Sequence, residues 1–161
     1  MKNPAFLFPA LALLAGASSC QKDNDDLTPD NPVVICGIDG MRLEADLDGS
    51  QTCFSSSLIA NLADGQISIG GVHPTSGTVA LLLDDMTLGT HAATDSVNHI
   101  LLIVGGVAYQ TRDDQPGQIT ISSHDQGGNH IKGSFSAQLT SADGSPAKSL
   151  AGTFDVSYLE Q

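Results

Sequence analysis

From Met41 onward the sequence switches between apolar and polar residues with a period of two. "MRLEADL" places Met41, Leu43, Ala45 and Leu47 on one side and Arg42, Glu44 and Asp46 on the other. Successive side chains of a strand point to opposite faces, so this is the period of a half-buried strand and not of a helix. "QISIGG", "QITIS", "HIKGSFSAQL" and "GTFDVSYL" repeat it. "TVALLLDD" and "HILLIVGGVAY" are more continuously apolar, the pattern of central strands covered on both faces. Turn-forming clusters separate these pieces: "ADGQ", "HPTSG", "DDQPG", "DQGGN" and "ADGSP". No window after the N-terminal segment carries a 3.6-residue apolar stripe. The expectation is an all-β fold, a single antiparallel β-sandwich or barrel-like domain of about eight strands.

One echo runs through the C-terminal part. "GSFSAQL" begins at Gly133 and "GTFDVSYL" at Gly152, each reading glycine, hydroxyl residue, phenylalanine, then polar and apolar residues in turn. The connecting "TSADGSPAKS" has hairpin length. The two segments are expected to be neighbouring strands, with Phe135 and Phe154 pointing into the core.

The N-terminus obeys different rules. Lys2 precedes a 13-residue run from Ala5 to Ala17 that is apolar apart from Pro9 and Gly16. A membrane-spanning helix needs about 20 apolar residues, so this is the h-region of a signal peptide and not a stable anchor. The small residues Ala17, Ser18 and Ser19 lead directly into Cys20. That ending resembles the lipobox of bacterial lipoproteins. The resemblance implies cleavage after residue 19, alkylation of the Cys20 thiol with diacylglycerol and acylation of the new amine by a fatty acid such as palmitate. Residues 20–32 are then a lipidated acidic tether, expected to stay disordered because almost nothing in it is apolar. "QKDNDD" after the cysteine is similar to the export signal that directs Bacteroidota lipoproteins to the cell surface, with Asn24 interrupting its acidic pair. Surface display on the outer membrane is the expectation, with a periplasm-facing lipoprotein as the alternative.

Residues 33–161 make up the expected folded domain, a usual size for one domain with a real core. Removing residues 1–19 takes Lys2 away and leaves five Lys+Arg against 18 Asp+Glu, a formal charge of −13. Binding nucleic acid needs a basic stripe, and this sequence has none. Two cysteines remain besides Cys20. In an oxidising compartment Cys36 and Cys53 would tend to bridge. However, if "IDG" and "LDG" both make tight hairpin turns, the two fall on strands two apart. With strands about 4.8 Å apart, their Cα atoms would exceed the roughly 7 Å reach of a disulfide. Cys36 and Cys53 therefore form a candidate pair with a geometric objection.

Several of these segments also resemble a group of Bacteroidota lipoproteins without an assigned function. The likeness rests on "IDGMRLEADL", on "ITISSHDQGGNHIKGSFSAQL" and on the following "GTFDVSY". It covers most of the mature chain and implies fold and location but no site.

Chemical motifs are sparse. The mature part has no Gly-x-Ser-x-Gly, no His-Glu-x-x-His, no EF-hand loop and no Cys-x-x-Cys. Glu44, Asp46 and Asp48 read as an outward polar face. The best metal candidates are His124 and His130 in "HDQGGNH". With Ile119, Ile121 and Ile131 inward, simple alternation points both histidines outward at the base of one hairpin, with Asp125 nearby. Two ligands make a weak site, and no cofactor is expected. The pairs Asp84–Asp85 and Asp113–Asp114 lie near turns, where solubilising charge is ordinary. Without tryptophan, and with only Phe54, Tyr109, Phe135, Phe154 and Tyr158 as mature aromatics, stacking against sugars is disfavoured.

These readings combine into a non-enzymatic, membrane-anchored interaction or structural accessory module. It would be held in the bilayer through acylated Cys20 and meet a protein or glycan partner through its loops. The candidate recognition loops are "HPTSG", "TRDDQPG" and, longest, Gly89 to Asn98. A carrier of small apolar ligands on a closed barrel is the alternative, and a glycan-active hydrolase a more distant one.

Overall fold

A computed structural model describes residues 36–161. The expected signal peptide (1–19), lipidated Cys20, acidic tether (20–32) and domain start at residue 33 lie outside the described residues. The described chain is all β, with twelve strands: β1 Met41–Leu47, β2 Ser50–Cys53, β3 Ile59–Ala63, β4 Gln66–His73, β5 Gly77–Leu83, β6 Gly89–Ala93, β7 Ile100–Val104, β8 Val107–Gln110, β9 Gly117–Asp125, β10 His130–Ser141, β11 Lys148–Ser157 and β12 Leu159–Glu160. The expectation of about eight fell short because several strands are only two to five residues long, too short to display a period.

Turn chemistry sets the hairpins. Asp48-Gly49, Asp64-Gly65 and Gly105-Gly106 each supply two consecutive residues at positive φ. That is the type I′ geometry whose twist matches the flanking strands, and it needs glycine or a small polar residue. Each makes a two-residue loop: β1 to β2, β3 to β4, and β7 to β8.

The strands form one hydrogen-bonded sheet that does not close into a barrel. One half runs β6-β9-β10-β11-β1-β2 and the other β12-β3-β4-β5-β7-β8. Every pair is antiparallel except β12 with β3. The long strand β10 joins the halves. Its edge opposite β11 pairs first with β9 over His130–Ser136, then with β8 at Thr140 and Ser141. A strand that changes partners partway is how a sheet turns the corner of a sandwich.

Both halves contribute to one core, in which Leu43, Phe54, Ile67, Leu81, Leu102, Ile131 and Phe154 are almost wholly buried. Each such side chain stabilises the fold by roughly 1.5–3 kcal/mol relative to exposure. All five aromatics of the domain lie in this core. Phe135 faces Gly152 and Phe154 faces Gly133 across the β10–β11 ladder. The sequence echo is thus a reciprocal packing device, each ring lying over the glycine of the other strand. A methyl group on Gly152 would sit 2.8 Å from Phe135 Cζ.

Two expectations change here. The apolar strands β5 and β7 are covered on one face only: Val79, Leu81, Leu83, Ile100 and Leu102 are buried, while Ala80, Leu82 and Leu101 are half-buried and Ile103 is exposed on the other face. Cys36 and Cys53 are joined in a disulfide with Cα atoms 5.1 Å apart. The geometric objection assumed that the chain before "IDG" runs as a strand beside β1. "IDG" does make the tight turn, with Met41 N–H donating to Ile38 O at 2.9 Å, but the chain before it does not continue as a strand beside β1. Strand β1 already has β11 on one edge and β2 on the other, so no third strand separates the two cysteines.

Candidate functional site

The two histidines singled out as metal candidates are not brought together. A β-bulge interrupts the β9–β10 ladder: Lys132 pairs with Ser123 and Gly133 with Ile121, leaving Ser122 as the extra residue. An extra residue reverses the alternation beyond it. His124 therefore pairs with buried Ile131 and turns to the core face, where its Nε2 lies 3.0 Å from the Tyr158 hydroxyl. His130 stays on the outer face, with Nε2 2.6 Å from Asp155 Oδ1. The two imidazoles point to opposite sides of the sheet. Among the described residues no group of three or more His, Cys, Asp or Glu is arranged to hold a metal ion.

His130 belongs to a small ionic cluster on that outer face. Asp155 pairs across the sheet with Arg42 on one side and Lys132 on the other. Lys132 Nζ lies 2.9 Å from Asp155 Oδ2, and Gly40 N–H donates to Asp155 Oδ1 at 3.0 Å. Burial pushes the Asp155 carboxyl up, but the Lys132 and His130 hydrogen bonds, the Gly40 amide and the Lys132 charge outweigh it. The group is held below its ordinary value. The cluster fastens the turn before β1 to β10 and β11, which is a structural task.

Gly89 to Asn98, expected as a free loop, is only partly one. Gly89–Ala93 is β6 and pairs with β9, and Ala93 is fully buried. Asn98 is buried at positive φ. Its Oδ1 accepts from Asp84 N–H at 2.9 Å and Asp85 N–H at 3.1 Å, while its own N–H donates to Asp84 Oδ2 at 2.9 Å. The pair Asp84–Asp85 is therefore an organising knot and not merely surface charge. Only Asp95, Ser96 and Val97 remain exposed at the tip.

That tip lines a polar surface groove of about 350 Å³. Its walls are Gln66, Leu82, Asp84, Asp95, Ser96, Val97, His99 and Gln110, drawn from β4, β5, the 94–99 segment and β8. Asp84 has both oxygens occupied, Oδ1 by Gln66 Nε2 at 2.7 Å and Oδ2 by the Asn98 amide. His99 Nδ1 is 2.9 Å from Thr94 O. Side chains already committed in this way present a fixed hydrogen-bonding surface. Gln66 and Gln110 were not legible as site residues, because a polar residue on an alternating strand looks the same whether its neighbours make a groove or a flat face.

A second groove of about 350 Å³ is apolar, at the other end of β3, lined by Met41, Leu58, Ile59, Ala60, Val156 and Leu159 with Gly40 and Ser157. No known protein family matches this chain, and no curated protein matches it. What the fold and these grooves define is a disulfide-bridged, two-layered all-β domain that carries both a polar and an apolar surface groove.

Proposed function

We propose that the protein is a lipid-anchored outer-membrane lipoprotein, displayed at the cell surface, that acts as a non-enzymatic interaction module. The observation that carries the anchoring is the apolar run ending in "ASSC" followed by the acidic "QKDNDD". Anchoring is through acylated Cys20, and recognition is through the polar groove between Gln66, Asp95, Ser96 and Gln110. Such a groove suits a polar protein segment or a glycan held by hydrogen bonds. The aromatics that would stack on sugar rings are all in the core. The oppositely signed patches that steer nucleic acid are missing from a chain of this charge.

The carrier alternative draws support from the apolar groove alone, whose volume lies at the lower end of ligand pockets. The space between the two halves of the sheet is filled by side chains. Two experiments test the main reading. Cys20→Ala should release the protein from the membrane fraction, and unchanged membrane association would refute the anchor. Replacing Asp95, Ser96 and Val97 together with glycine and serine should abolish capture of envelope or glycan partners while the circular dichroism of the domain is kept. Undiminished capture would remove the groove from the proposal.

A further inference from the structure

Seven large apolar side chains are exposed among the described residues, and four of them lie side by side: Ile38 (71% exposed), Met41 (52%), Ile59 (58%) and Leu159 (70%). Met41, Ile59 and Leu159 line one groove, and Ile38 bridges Met41 directly. Exposed apolar residues scattered singly need no explanation, but a contiguous patch marks a surface that something covers.

The position of the patch identifies the occupant. Ile38 is two residues from Cys36, where the described chain begins, and the fifteen residues 21–35 are all that separate Cys36 from Cys20. Even fully extended, fifteen residues span no more than roughly 50 Å. The patch thus lies beside the point at which the chain from Cys20 enters the domain. Charge argues against a second copy as the cover. Of the 18 acidic residues four precede the domain (Asp23, Asp25, Asp26, Asp30), and of the six basic ones two do (Lys2, Lys22), leaving 14 against four. Asp39 and Glu160 are the chain neighbours of Ile38 and Leu159, so apposing two copies of a domain with this charge would bring like charges together. A zwitterionic lipid surface offers apolar depth without that repulsion.

We propose that Ile38, Met41, Ile59 and Leu159 form a membrane-docking face that seats the domain, anchor end down, on the bilayer holding Cys20. This rests on the lipoprotein reading. The groove lets interfacial acyl segments reach Ala60 and Val156, as apolar faces of peripheral proteins do. In that orientation docking also fixes which surfaces of the domain are left facing away from the bilayer.

The chain contains no tryptophan, so a single introduced one reports its own surroundings. Leu159→Trp, and Ile59→Trp on the neighbouring strand β3, are made alongside Ile103→Trp, which lies on the outer face of β7. The acylated mature proteins are reconstituted into phosphatidylcholine vesicles, and the N-terminal peptide is weighed by mass spectrometry. Expected are shorter-wavelength emission and strong quenching by brominated acyl chains at positions 159 and 59, with position 103 unaffected. Acylated Cys20 with solvent-like, unquenched emission at 159 and 59 overturns docking and leaves the anchor standing. Unmodified Cys20 overturns both. A shift without quenching that grows with the protein-to-lipid ratio means that a second copy covers the patch, and overturns docking as well.

Discussion

Replacing Gly152 with alanine tests whether the paired Gly-x-Phe segments are a packing device. The added methyl group would lie 2.8 Å from Phe135 Cζ and 2.9 Å from Ala45 Cα, and closer still to the Glu44 carbonyl oxygen. The ring could tilt. The Glu44 and Ala45 backbone cannot move without disturbing the β1–β11 ladder, in which Ala45 sits opposite Gly152. Forcing a methyl group into a filled core costs about 1–3 kcal/mol. Losing glycine's freedom in the unfolded chain offsets roughly 0.4–1 kcal/mol of that. A net loss of about 1–2 kcal/mol, divided by a urea slope of about 2 kcal/mol/M, lowers the unfolding midpoint by roughly 0.5–1 M. Circular dichroism at increasing urea measures it. Gly70→Ala is the internal control: it also lies in a strand, but nothing approaches its added methyl group within 4 Å. It should be neutral or stabilise by a few tenths of a kcal/mol. If Gly152→Ala unfolds at the same urea concentration as the parent, the glycines are not there to make room for the rings.

Other consequences can be measured as directly. Replacing Cys36 and Cys53 with alanine opens a loop of sequence separation 17 and should cost about 3 kcal/mol; two titratable thiols in freshly isolated, unreduced domain would contradict the bridge itself. Asn98→Ala leaves the amides of Asp84 and Asp85 without their acceptor and should cost about 2–3 kcal/mol, read as a lower thermal midpoint. Asp155 is held below its ordinary value, so its contribution is present above about pH 4 and is lost as pH falls through the depressed folded value. Asp155→Asn should therefore lower stability at neutral pH and flatten the acid limb of the stability curve, and an unchanged acid limb would exclude Asp155 as its source. Exchanging His124 and His130 for glutamine should leave zinc affinity as it was; a loss would mean that the bulge at Ser122 does not separate them.

How much of this was legible depends on the range of the physics involved. Alternation along "MRLEADL" and "QITIS" marked strands because a period of two is local, and Asp-Gly and Gly-Gly marked hairpins because positive φ is a property of one or two residues. The lipobox-like ending at Cys20 is equally local. The apolar runs around Leu82 and Leu101 were misread as doubly covered, because composition says what a face can tolerate but not what lies against it. His124 was placed on the wrong face because one extra residue at Ser122 inverts every later side chain, and a bulge is decided by how β9 and β10 pair. The bridge between Cys36 and Cys53 was a candidate with a geometric objection, which fell once tertiary pairing put β11 and β2 on the two edges of β1. The loop ending at Asn98 was marked as a candidate surface, but the groove it completes was not, because that groove exists only where β4, β5, β8 and the 94–99 segment meet. Sequence alone determined the all-β character and the turns, which are written in neighbouring residues, and it carries the lipobox-like ending on which the proposed address rests. Only the tertiary structure decided which faces are covered, which histidines are neighbours and where the grooves lie, because those depend on pairings between residues far apart in the chain.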